Sequence, residues 1–380
     1  MADDISDFRV ELDDGAIADL RDRLARTRWP EAETVDDWSQ GLPLAYAQDL
    51  CSYWADRYDF AAAEDRFNAF PQFRTEIDGL GIHFVHARSP NPDALPLIVT
   101  HGWPGSVVEF QKVIGPLSDP VSYGGDASDA FHVVCPSLPG YGWSDKPSRT
   151  GWNVERIAGA WAELMARLGY TRYGVQGGDW GAFVTTSVGQ QDPEHVAGVH
   201  VQLPLVSLQP EMMSDLTDAE QASLESGAYY SRWGSGYSTQ QASRPQTLGY
   251  GLVDSPAAQC AWVVEKFWDW TDCDGHPENV LSRDELLDNV ALYWFPAAGA
   301  SSARLYWESF HQNNTEPVTV PSGCSIFPKE IFRPSRRWVE TRFEDLRYYN
   351  QVEKGGHFAA FEQPELFVRE VRSFFRLVRG

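Results

Sequence analysis

The chain has 380 residues, enough for one large core with an appendage or for two domains. Its 54 acidic residues outnumber its 31 Lys and Arg, and the resulting charge of −23 is spread along the chain rather than gathered in a tail, which excludes nucleic-acid binding. A hydrophobic share of 43% with 20 Phe, 15 Tyr and 15 Trp excludes a disordered chain. Cys51, Cys135, Cys260, Cys273 and Cys324 are scattered without a Cys-x-x-Cys pair, so neither a disulfide framework nor a zinc site is indicated. Residues 1–8 carry three aspartates and no basic run ahead of an apolar stretch, and no later run approaches about 18 apolar residues. The expectation is a cytoplasmic protein with no membrane partner.

Over residues 14–29, Ile17, Leu20 and Leu24 recur at helical spacing and Pro30 stops the run; Leu44, Ala47, Leu50, Cys51 and Trp54 repeat the pattern. Residues 1–94 therefore read as an extension, helical at first and without chemistry of its own. From about residue 70 the texture changes. Short strand-like runs at 81–88, 95–100, 131–135, 173–176 and 196–203 alternate with helical patterns such as 154–168, which predicts a mostly parallel sheet of the α/β class. The core so defined occupies 95–205 and resumes at 319–380, with strands at 324–327 and 348–352 and a helix at 364–378. Between them, 206–318 is a Trp- and Tyr-rich helical lid expected to cover the sheet's C-terminal edge.

Gly177-Gly178-Asp179-Trp180-Gly181 follows an apolar strand and precedes a helical run, the context of a nucleophile elbow, with Asp where many such turns carry Ser. The alternative is an aspartate that caps the following helix. His101-Gly102-Trp103-Pro104-Gly105-Ser106 ends the strand at 95–100, a loop suited to an anion, and the N–H groups of Trp103 and Trp180 are the expected oxyanion donors. Among nine histidines, His357 in Gly355-Gly356-His357-Phe358 lies between the last strand and the last helix, where a general base belongs. Glu330, after the strand at 324–327, is the candidate acid partner; Glu340, Glu344 and Asp345 compete but read as solvated charges. His83, His86 and His311 read as packing or surface residues.

Taken in this order, Trp38, residues 43–54, Pro71-Gln72-Phe73, 101–106, 136–145, 177–181, 327–330 and 355–361 make the chain resemble the epoxide hydrolases of the α/β-hydrolase superfamily. Within them it is similar to the microsomal-type group, without the membrane anchor. The resemblance covers nearly the whole chain and implies an α/β-hydrolase fold with a helical lid, Asp179 as nucleophile, His357 as base and Glu330 as its acid. It also implies two lid tyrosines as proton donors, matched by Tyr237 and Tyr306, with Tyr229, Tyr230 and Tyr250 competing for the first position.

These residue types suit an epoxide, whose strained C–O bonds must be displaced from behind by an anion while an acid donates to the leaving oxygen. A carboxylate and a neutral phenol fill those roles at neutral pH. The expected partners are a small apolar or aromatic epoxide and water, with no metal or organic cofactor, and a homodimer is left open. A haloalkane dehalogenase-like hydrolase shares the Asp/His/acid machinery, and a non-catalytic hydrolase-like binding protein is the reading outside enzymes.

Overall fold

Runs such as Leu95–Thr100 and Val196–Val201 are apolar on both faces, the pattern of a strand covered on each side by helices, and the computed structural model joins them in one nine-stranded sheet. The structure describes residues 5–310 and 314–379, so His311 lies outside the described residues. The strands are β1 (Ser6–Phe8), β2 (Gln72–Ile77), β3 (Leu80–Ala87), β4 (Leu95–Thr100), β5 (Phe131–Pro136), β6 (Tyr173–Gly177), β7 (Val196–Val201), β8 (Ser322–Ile326) and β9 (Leu346–Gln351). Their order is β1-β2-β3-β5-β4-β6-β7-β8-β9. β1, β2, β3 and β5 pair antiparallel, and every pairing from β5 to β9 is parallel.

Helices α1 (Asp14–Ala25), α2 (Leu44–Asp56) and α3 (Phe60–Phe67) precede β2; α1 ends four residues before the expected stop, and α3, capped by Asp59, was not expected. The crossover helices α4 (Gln111–Ser118), α5 (Val154–Arg167) and α6 (Trp180–Gln191) follow β4, β5 and β6. The insertion after β7 holds α7 (Asp218–Tyr229), α8 (Gly236–Ser243), α9 (Pro245–Asp254), α10 (Pro256–Trp270), α11 (Arg283–Trp294) and α12 (Gly299–Ser309). Short α13 (Arg336–Val339) and α14 (Ala359–Glu362) flank β9, and α15 (Pro364–Phe375) packs against α4 on one face of the sheet while α5 and α6 pack together on the other. Among the described residues no helix is long and apolar enough to cross a membrane, and no group of three or more His, Cys, Asp or Glu is arranged to hold a metal ion.

The extension holds the inserted helices in place. Trp38 stacks on Trp268 of α10 with ring centroids 5.1 Å apart. Asp288 of α11 is buried and takes two hydrogen bonds from Arg66 of α3, at 2.6 and 2.7 Å, and a third from the Tyr58 hydroxyl. Asp288→Ala strands a half-buried guanidinium and a buried phenol, so the urea midpoint is expected to fall by the equivalent of about 3 kcal/mol. Equilibrium unfolding checks this, and an unchanged midpoint would show that the junction carries no stability.

Candidate active site

At the end of β6 the chain turns within two residues into α6, and Asp179 takes the strained angles φ +48° and ψ −130°. The turn is too tight for any side chain at position 181, where a Cβ would lie 1.9 Å from the Thr100 carbonyl oxygen. Asp179 does not cap α6; its side chain makes no hydrogen bond to the first-turn amides and instead accepts the Trp103 N–H on Oδ1 at 2.8 Å. The Trp103 loop reaches the carboxylate because Gly102 has no side chain: a Cβ there would sit 2.1 Å from Oδ1. Trp180 opens α6, where first-turn amides have no acceptor inside the helix and point toward negative charge.

His357 bridges two carboxylates. Its Nε2 lies 3.3 Å from Asp179 Oδ2 and its Nδ1 lies 2.7 Å from Glu330 Oε1. Glu330 is buried, receives the Ile331 N–H at 2.8 Å on the same oxygen, and leaves Oε2 without a partner among the described residues. Burial works against the imidazolium, but the charge of Glu330 and the hydrogen bonds to Asp179 and Glu330 outweigh it and hold the His357 pKa well above the usual histidine range. The competing acids stay away: Glu340 pairs with Arg336, Asp345 with Arg347, and Glu344 is exposed. His83, buried between Ser137 and Gln72 with its pKa pushed down to about 3 by burial, is a packing residue, as is His86 against Tyr170.

The inserted helices supply the opposite wall. Tyr237 of α8 stacks on Trp103 with centroids 4.7 Å apart, and Tyr306 of α12 meets Trp180 edge to face at 4.8 Å. The two tyrosine rings meet edge to face at 5.8 Å. Both are buried, and burial, reinforced by neighbouring phenols and by Asp179, pushes both pKa values well above the ordinary phenol range, so both remain protonated donors. Among the described residues Tyr306 Oη makes no well-formed hydrogen bond, although it lies close enough to the Tyr237 hydroxyl to work against the rise of that pKa, while Tyr237 Oη pairs with Tyr230 Oη at 2.9 Å. Tyr229 and Tyr250, the other competitors, are 59% and 71% exposed.

Tyr230, the remaining competitor, backs Tyr237 rather than replacing it. Two residues in this neighbourhood escaped the sequence reading: Trp270 lies edge-on to His357 at 5.0 Å, and Glu109 lies beneath the same loop as Trp103. Glu109 is buried, its carboxyl raised to about 8 by burial, with His357 and Asp179 close enough to act on it in opposite directions. Its only signal was the Ser106-x-x-Glu109 spacing of a helix start.

A sheet that is parallel from β5 onward, an acid on a strand-turn-helix elbow and a histidine after the last strand define an α/β hydrolase. Sequence profiles agree: the "alpha/beta hydrolase fold" profile matches residues 96–250 and the "Epoxide hydrolase N terminus" profile matches residues 5–110. A Stigmatella aurantiaca protein provisionally named an epoxide hydrolase is 53% identical over 99% of this chain and 86% of its own. Epoxide hydrolase 1 of Oryctolagus cuniculus is 36% identical over 98% of this chain and 89% of its own. Among solved structures, the Aspergillus niger epoxide hydrolase superposes with a TM-score of 0.90 at 30% identity, covering 99% of this chain and 97% of that one. The chain belongs to the epoxide hydrolase family and is a hydrolase.

Proposed function

We propose that the enzyme opens an apolar or aromatic epoxide to a vicinal diol through an ester formed on Asp179. One arrangement carries this reading: Asp179 meets the His357–Glu330 pair, and two buried, protonated phenols lie close enough to feel its charge. In the first step a carboxylate oxygen of Asp179 attacks a ring carbon from behind, the bond between that carbon and the ring oxygen breaks, and a phenol of Tyr237 or Tyr306 gives its proton to the alkoxide left on the neighbouring carbon. The orphaned hydroxyl of Tyr306 is the better placed to accept such a partner. The aromatic lining of Trp103, Trp180, Tyr237 and Tyr306 supports an apolar or aromatic substrate.

Ester formation then changes the histidine. Asp179 loses its charge, and with it goes one of the interactions that keeps His357 protonated, so the imidazole releases its proton and becomes a base. That proton balances the one the phenol gave up. His357 next deprotonates a water, which adds to the ester carbonyl, and the oxyanion is met by the N–H groups of Trp103 and Trp180. Collapse returns the carboxylate and frees the diol. Because the base form is needed in this step, ester hydrolysis should slow as pH falls through the His357 pKa of the ester state, whereas alkylation should not. The same reading divides the chain into the extension 1–94, the core 95–205 with 319–380, and the lid 206–318. The five buried, unpaired cysteines support a reducing, cytoplasmic setting.

His357→Gln tests the scheme. It should let the ester form and stop its hydrolysis, so incubation with styrene oxide should leave an adduct of one substrate mass on the peptide containing Asp179, seen by mass spectrometry. Bound substrate without an adduct would mean that His357 acts before the ester exists. A haloalkane panel read by halide release addresses the dehalogenase alternative: turnover of haloalkanes and not of epoxides would replace the reading.

A further inference from the structure

The loop that carries His357 is laced to the lid at the end of α10. The His357 N–H donates to the Trp270 carbonyl at 2.8 Å, and the Gly355 N–H donates to Asp272 Oδ2 at 3.1 Å. Glu362, on α14, closes the seam: its Oε1 receives the Gly356 N–H at 3.0 Å and its Oε2 receives the Asp272 N–H at 2.8 Å. The approach is as close as backbone allows, since a Cβ on Gly356 would lie 2.3 Å from the Trp270 carbonyl oxygen. The lid residue gripped here has its ring 5.0 Å from the His357 ring and 5.2 Å from that of Tyr237.

We propose that Glu362 is a positioning residue for the base, clasping the His357 loop to the lid so that the imidazole meets the ester carbonyl at the right distance; this rests on the reading of His357 as base. The choice of a carboxylate is itself informative. Glu362 is 7% exposed and forms no ion pair with a Lys or Arg among the described residues, only the His357 imidazolium acting on it through space, an expensive place for an acid unless its two equivalent oxygens are needed. Two N–H donors converge on them, one from each side of the seam. An amide of the same shape offers one oxygen and one NH2, so whichever way it is turned one backbone N–H meets another donor. Burial raises the carboxyl to about 7, in keeping with the cost of the site.

Glu362→Gln keeps the volume and breaks one of the two bonds; Glu362→Ala breaks both. Rapid-quench mass spectrometry with styrene oxide follows adduct formation and decay separately, with melting temperatures measured alongside. The expected result is ester hydrolysis slowed about 10- to 100-fold in Glu362→Gln, the scale of a displacement near 1 Å, with alkylation within about twofold of wild type. Glu362→Ala should be slower again in the same step. A purely structural role would lower both steps together as folded protein is lost, and that result, or unchanged hydrolysis in Glu362→Gln, overturns the proposal. His357→Gln separates the two readings: if it traps the adduct while Glu362→Gln hydrolyses normally, only the clasp fails; if it traps none, the base assignment fails regardless of Glu362.

Discussion

Asp179→Ala is expected to lower diol formation by about 10⁴-fold or more, because a residue that makes the covalent bond cannot be bypassed by its partners. The effect should be chemical. The Asp179 side chain touches the Trp103 amide and His357 but fills no core position, so the folded state loses little with it. Alanine does sit less easily at φ +48°, a cost of about 1 to 2 kcal/mol, and Asp179→Asn, which tolerates positive φ and keeps an acceptor for the Trp103 N–H, controls for it. Both variants should be inactive and folded. In heavy-oxygen water, one turnover of excess wild-type enzyme should give unlabelled diol, since its new oxygen comes from Asp179, and leave the label in the carboxylate. Labelled diol in that first turnover would mean that water attacks the epoxide directly, and the elbow would be a spectator.

The parts of the site that were legible in the sequence are those where local sterics dictate residue type. Gly177 and Gly181 around Asp179 encode a turn that no larger residue can make, because a Cβ at either would run into backbone, and the apolar runs of β4 to β7 encode strands buried on both faces. The His357–Glu330 pair followed from chain order once the elbow was recognised, although 27 residues separate the two. The strands β1 and β2 were not expected: one is three residues long and mostly exposed, and the other mixes Arg74, Thr75 and Glu76 into its run. The phenols were legible only through family resemblance. Tyr229, Tyr230 and Tyr237 carry no periodic signal that separates them; what does so is a π turn at Tyr230–Gly234 that reorients the chain before α8, and the seat of α8 against Trp103. Glu362 reads in sequence as an ordinary helix acid, because its meaning lies in amides brought by α10 and by the base loop from distant parts of the chain.

The double substitution Tyr237→Phe with Tyr306→Phe should nearly abolish alkylation, while each single change slows it by a factor on the order of 10 to 10³. The asymmetry of the pair sharpens the expectation. Among the described residues Tyr306 makes no well-formed hydrogen bond and its hydroxyl only approaches that of Tyr237, so its loss removes the donor most free to meet the epoxide oxygen; Tyr237 already shares its hydroxyl with Tyr230. Tyr306→Phe should therefore be the slower single variant, and Tyr237→Phe should be partly covered by Tyr306. Ester hydrolysis, which needs no proton from either phenol, should stay near wild type in all three. If both rings serve only to pack on Trp103 and Trp180, removing hydroxyls should shift melting temperature and leave alkylation unchanged. Stopped-flow alkylation rates set beside melting temperatures separate these outcomes. Full-rate alkylation in the double variant would remove the reason for an epoxide, because a leaving group that needs no proton needs no phenol.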